Sequence, residues 1–144
     1  MSRFNSRLWE VAKAAVEEAQ ALGEPAVGTE HLLLGLLRCP ESAGCHVLHY
    51  LGISPETLRQ EVLQSLPSGT PGKRENMQLT SRAKRVIDLG WDETQGLGMI
   101  AMDTDHLLLG FLRKGEGFAG KFLAKRGVEL EALREAIRAI RGIR

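Results

Sequence analysis

Aromatic residues are scarce in this chain, at 5% of 144 positions, and cysteine appears only twice, at Cys39 and Cys45. Two cysteines supply no disulfide framework of the kind that staples small secreted domains. Charge of one sign is also missing. Nineteen Lys and Arg face eighteen Asp and Glu, a net of +1, which excludes a dedicated nucleic-acid binder and gives no polyelectrolyte tail. The longest apolar run, "HLLLGLL", is far too short to cross a bilayer. The opening "MSRFNSRLWE" has no apolar stretch suited to a signal sequence, so the expected compartment is the cytoplasm. No "GxxxxGK[ST]" loop occurs, so no nucleotide hydrolysis is expected of these residues alone.

What is present is a repeat. "TEHLLLGLLR" begins at Thr29 and "TDHLLLGFLR" begins at Thr104, 75 residues later. Sliding the chain by that offset aligns residues 4–62 with residues 79–137 without a gap. Identities include Arg7 with Arg82, Leu22 with Leu97, Gly23 with Gly98, Thr29 with Thr104, His31 with His106, Gly35 with Gly110, Arg38 with Arg113, and Arg59 with Arg134. The organisation expected is one domain over residues 1–144: repeat one at 4–66, a linker at 67–78 and repeat two at 79–141. The linker, "PSGTPGKRENMQ", is rich in turn formers and is the expected site of first proteolysis, around residues 68–76.

Each copy reads as four helices. In "NSRLWEVAKAAVEEAQAL", Leu8, Val11, Ala12, Ala15, Ala19 and Leu22 recur at the three-and-four spacing of one helical face. Asn5 is a suitable N-cap, Phe4 can pack on Trp9 as a hydrophobic staple, and Gly23 stops the helix. Thr29 is expected to cap the second helix, with a third running from about residue 41 to 51. Ser54 followed by Pro55 opens the fourth. Thr80, Gly98, Thr104 and Gly127 punctuate the second copy in the same way. The fold class is therefore all-α: eight helices as two four-helix repeats related by a pseudo-twofold axis.

The repeated motifs resemble the Clp amino-terminal domain of ClpC- and ClpA-type AAA+ unfoldases. The resemblance rests on "GTEHLLLGLLR", on "TDHLLLGFLRKGEG" and on "LTSRAKRVI", and covers nearly the whole chain. It implies a non-catalytic module without cofactor that docks adaptor proteins or protein substrates for a Clp ATPase/protease machine, with neither nucleic acid nor membrane as partner. The alternative is a freestanding regulator that shares the fold or sequesters small ligands. In ClpC-type members the acid after each threonine is similar to the residue that receives the guanidinium of phosphorylated arginine. The resemblance thus marks Glu30 and Asp105, beside Thr29 and Thr104, with the phosphate falling near the helix openings at Asn5 and Thr80. The second copy departs from the family's G-T-E-H by reading Asp103-Thr104-Asp105-His106, with a shorter carboxylate and an added acid; the first reads "PESAGC" where the family has "GEG".

Simpler roles are open to the same residues. The threonines could be caps and the acids first-turn charges set favourably against the helix dipole. His31 and His106 read as packed or hydrogen-bonded residues, since no nucleophile accompanies them. Cys39, Cys45, His46 and His49 carry donor atoms, and Cys45 and His49 have i,i+4 spacing, but Cys39 lies across a proline turn and the sequence has no second metal-binding cluster, so no metal is expected. Cys45 and the leucine triplets read as core.

Overall fold

A computed structural model describes residues 3–143. Among them lie eight helices: α1 (Ser6–Ala21), α2 (Thr29–Leu37), α3 (Ala43–Tyr50), α4 (Pro55–Ser65), α5 (Ser81–Gly96), α6 (Thr104–Lys114), α7 (Gly117–Lys125) and α8 (Leu130–Arg141). Three helix starts follow the cap chemistry read from the sequence, at Asn5, Ser54 and Thr80. Asn5 Oδ1 accepts from Leu8 N–H at 2.9 Å, Thr80 Oγ1 from Ala83 N–H at 3.1 Å, and Ser54 Oγ from Thr57 N–H at 3.3 Å. Phe4 meets Trp9 edge-on at 5.3 Å between ring centres, the expected staple.

The centre is built from α2 and α6. Leu32, Leu33 and Leu34 in one copy, and Leu107, Leu108 and Leu109 in the other, are all buried. Buried on every side, these short helices need partners all round, and each lies against the first helix of its own copy and elements of the other. Gly35 makes the first contact possible: a Cβ there would stand 2.7 Å from the Val11 carbonyl oxygen of α1. Gly110 meets Val86 and Gly90 of α5 in the same way, so backbone packs directly on backbone in both copies.

Across the pseudo-twofold, α2 packs on α7 and α6 on α3. The segments leading into the helices cross over too. Phe4 pairs with Met102, and Val27 with Leu79, as isolated parallel bridges. Their hydrogen bonds include Asn5 N–H to the Met102 carbonyl at 3.0 Å and Thr80 N–H to the Val27 carbonyl at 2.9 Å. The start of α1 therefore stands beside the start of α6, and the start of α5 beside that of α2.

The repeated arginines gain a role in the same frame. Arg38 and Arg59 hold the buried Glu18 at 3.1 and 2.7 Å, while Arg113 and Arg134 hold the buried Glu93, each at 2.8 Å. A carboxylate taken from water in this way is costly unless charged donors replace the lost hydration, and two guanidinium groups do so in each copy.

Candidate functional site

The three residues of each T-[ED]-H start do different things. Thr29 and Thr104 are not caps of their own helices; they occupy the first helical position, behind N-caps Gly28 and Asp103. Their hydroxyls reach the other repeat. Thr29 Oγ1 accepts from the buried Ala119 N–H of α7 at 3.2 Å, and Thr104 Oγ1 accepts from the buried Gly44 N–H of α3 at 2.8 Å. Each threonine thus satisfies one of the amides that a helix start leaves without an internal acceptor, but in its neighbour.

The histidines close the helix starts that the threonines leave. Gly28 N–H donates to His31 Nδ1 at 2.9 Å and Asp103 N–H donates to His106 Nδ1 at 2.8 Å. This is the backward half of a capping box, with imidazole in place of the usual Glu or Gln side chain. Since Nδ1 accepts, each ring is neutral with its proton on Nε2. Burial lowers both histidines below the ordinary imidazole value, against the pull of Glu30 on His31 and of Asp105 on His106. His106 Nε2 is buried and has no hydrogen-bond partner among the described residues. The Nδ1 atom of each ring is thus committed to a helix-start amide.

The acids differ sharply between the copies. Asp105 is 1% exposed, and both its oxygens are taken by Arg141 of α8, through Nε at 2.7 Å and Nη2 at 2.9 Å. Arg141 Nη2 also donates to Asp103 at 3.0 Å. Hydrogen bonding to Asp105 raises the guanidinium further above its already high value. Asp103 is lowered from the usual carboxylate range: burial opposes ionisation, but the Thr104 N–H, the Asn5 side chain and Arg141 together outweigh it. Asn5, Asp103, Asp105 and Arg141 therefore form one connected cluster where α1, α6 and α8 meet.

Glu30 has a different setting. It is only partly buried, its carboxyl group folds back over Gly28, and it makes no ion pair or hydrogen bond among the described residues. Glycine is what permits this position, because a Cβ on residue 28 would collide with the carboxylate. Around it stand Thr29, the start of α5 at Thr80, and the Arg82–Gly117 corner. Arg82 lies against Gly117, whose own Cβ position is 3.4 Å from Thr29 Oγ1, and Arg82 Nη1 reaches Glu116 at 2.8 Å. The site residues marked in the sequence thus divide into two groups, Glu30–Thr29–Thr80 and Asp105–Thr104–Asn5, each drawing its helix opening from the opposite repeat.

Sequence reading missed Arg82 and Arg141. The signal for Arg141 was available: at the 75-residue offset Arg141 faces Leu66, and Asp103 faces Gly28, so the second copy gains a cation and an extra acid together. For Arg82 no such signal exists, because its repeat mate Arg7 is also arginine and pairs with Glu10 of its own helix at 3.0 Å. No group of three or more His, Cys, Asp and Glu residues among the described residues is placed to hold a metal ion. Cys45 is buried, and its Sγ lies 3.4 Å from the Leu36 carbonyl oxygen.

This architecture places the chain in a known family. It belongs to the Clp repeat (R) N-terminal domain family, which it matches over residues 3–126. It is 39% identical over 140 residues to the negative regulator of genetic competence ClpC/MecB of Bacillus subtilis, covering 97% of this chain and 17% of that protein. The N-terminal domain of the chaperone ClpD from Arabidopsis thaliana superposes with a TM-score of 0.69 at 25% identity, covering 95% of this chain and 96% of that one. A ClpV N-domain solved in complex with a VipB peptide shares the fold, with a TM-score of 0.75 at 16% identity over 94% of this chain and 85% of that one. The chain spans about a sixth of the length of the curated relatives it matches. No described helix is long and apolar enough to cross a membrane.

Proposed function

We propose that this domain is a non-catalytic docking module of a cytosolic ClpC-type unfoldase system, and that its ligand-receiving pocket is at Glu30. The observation that carries this reading is the contrast between the two first-turn acids: Asp105 is saturated by Arg141, whereas Glu30 makes no ion pair among the described residues. An unpaired, partly buried carboxylate at a helix start can take a guanidinium through two parallel charge-assisted hydrogen bonds. The neighbouring start of α5 supplies what a phosphate on that guanidinium requires. Thr80 caps the Ala83 N–H, the amides of Ser81 and Arg82 before it have no acceptor within the helix, the helix dipole is positive there, and Arg82, paired with Glu116, stands at the second helical position.

The ligand so described is a phosphorylated arginine on an adaptor or a protein substrate. That a ClpV N-domain was solved with a VipB peptide supports peptide docking on this fold. Titration calorimetry with phosphoarginine and with a phosphoarginine-bearing peptide tests the reading, and one site per chain is expected. Absence of heat at millimolar ligand, or an unchanged isotherm in Glu30→Ala, would refute it.

A further inference from the structure

We infer that the Asp103–Asp105 pair is a second arginine site, selective for an unmodified guanidinium, and that the chain fills it itself with Arg141. The geometry is that of a bound ligand. Arg141 presents Nε and Nη2 to the two oxygens of Asp105 and shares Nη2 with Asp103, which is the planar fork meeting a carboxylate edge-on. Asp105 is buried and Arg141 is mostly so, with 22% of its side chain exposed. Their attraction is screened far less than that of a surface pair.

Charge decides which guanidinium this site accepts. Two carboxylates face one cation. The place where a phosphate would lie, at the start of α1, has the same side-chain cap as its counterpart, Asn5 on Leu8 N–H for Thr80 on Ala83 N–H, but it also stands beside Asp103, whose ionised form the Asn5 side chain favours. A phosphoryl group there would stand beside an ionised carboxylate and would have to displace it. An unmodified arginine meets no such conflict. In the first repeat both special residues are absent, with Gly28 in place of Asp103 and Leu66 in place of Arg141, so the Glu30 pocket has neither the internal ligand nor the repelling acid. Arg141 therefore acts as a tethered ligand that fastens the last turn of α8 to the start of α6, and the domain offers one open acid pocket instead of two.

The comparison with Glu30 rests on the function proposed above, but the filled site does not. Its test is chemical rescue of Arg141→Ala in the full chain. Removing the cation leaves two neighbouring carboxylates unpaired, and the melting temperature should fall by about 10 °C. Millimolar methylguanidinium should restore part of that loss, L-arginine amide should do the same, and phosphoarginine should restore less. Neither wild type nor Arg141→Ala/Asp105→Asn should respond. The same gain in all three proteins, or stronger rescue by phosphoarginine, would overturn the assignment. Should Arg141→Ala fail to fold, the wild-type chain still answers: the Arg141 Nε proton should exchange with solvent far more slowly than those of exposed arginines, and ordinary exchange would contradict a filled site. Glu30→Ala should leave each of these results unchanged, which separates them from the fate of the Glu30 pocket.

Discussion

Thr29 holds Ala119: the hydroxyl at the start of α2 accepts the N–H at the start of α7, 90 residues away, and Thr104 repeats the contact on Gly44. The two buried bonds stitch the repeats together. Replacing threonine by valine keeps the shape and removes the acceptor, leaving a buried amide unsatisfied, at a cost of about 1–3 kcal/mol per site. Urea unfolding of Thr29→Val and Thr104→Val should show losses of this size, with serine at either position restoring most of it. A midpoint unchanged by valine would mean that the threonines contribute only as ordinary first-turn residues.

The two acids should separate binding from stability. Glu30→Ala removes a carboxylate that pairs with nothing among the described residues, so its unfolding midpoint should hardly move, while phosphoarginine binding should weaken by roughly ten- to hundredfold. Asp105→Ala strands the Arg141 guanidinium and should cost about 2–4 kcal/mol, with little change in phosphoarginine affinity. Paired calorimetry and denaturation on the two variants give both quantities. The reverse pattern would move the ligand pocket to the second repeat.

Much of this fold can be read from the chain because the repeat states it twice. Helix starts, stop glycines and leucine triplets recur at one offset, and the local rules that govern them act within a few residues. Gly23, Gly52, Gly98 and Gly127 indeed end their helices at φ between +72° and +83°. What local rules cannot show is a partner far along the chain. Thr29 fits an N-cap by every local criterion; its acceptor role for Ala119 depends on how two repeats dock. Arg141 looks like a cation placed against the dipole at a helix end until α8 is laid against α6.

Proteolysis should begin in the linker, in its second half. Gly69 N–H and Gly72 N–H donate to the carbonyls of Leu22 and Gln20 at 3.0 and 3.1 Å, so the first half is fastened to the end of α1. Beyond it Lys73 and Arg74 are exposed, and the described contact there is a 3.3 Å bond from the Gln20 side chain to the Arg74 carbonyl. Brief trypsin treatment should cut after Lys73 or Arg74 before any other basic residue. Mass spectrometry of the first fragments decides the matter, and earlier cleavage after Arg38 or Arg113 would contradict the packing described.

The buried histidines should make the fold sensitive to mild acid. In the native state His31 and His106 are held neutral, with pKa values lowered by burial, and both use Nδ1 as an acceptor for a helix-start amide. In the unfolded chain they return to about 6.5. Below that value the unfolded state binds protons that the native state refuses, so stability falls as pH drops, by up to about 1.4 kcal/mol per pH unit for each histidine. Asp103 and Glu93, whose native values are lowered, add a loss of the same sign only nearer pH 4, where unfolded carboxylates begin to protonate. Urea midpoints compared at about pH 7.5 and pH 5.5 therefore isolate the imidazoles. Glutamine can accept the same backbone N–H without titrating. The double variant His31→Gln/His106→Gln should lose much less stability than wild type over that interval. An equal loss would assign the acid sensitivity to other groups and remove the histidines from it.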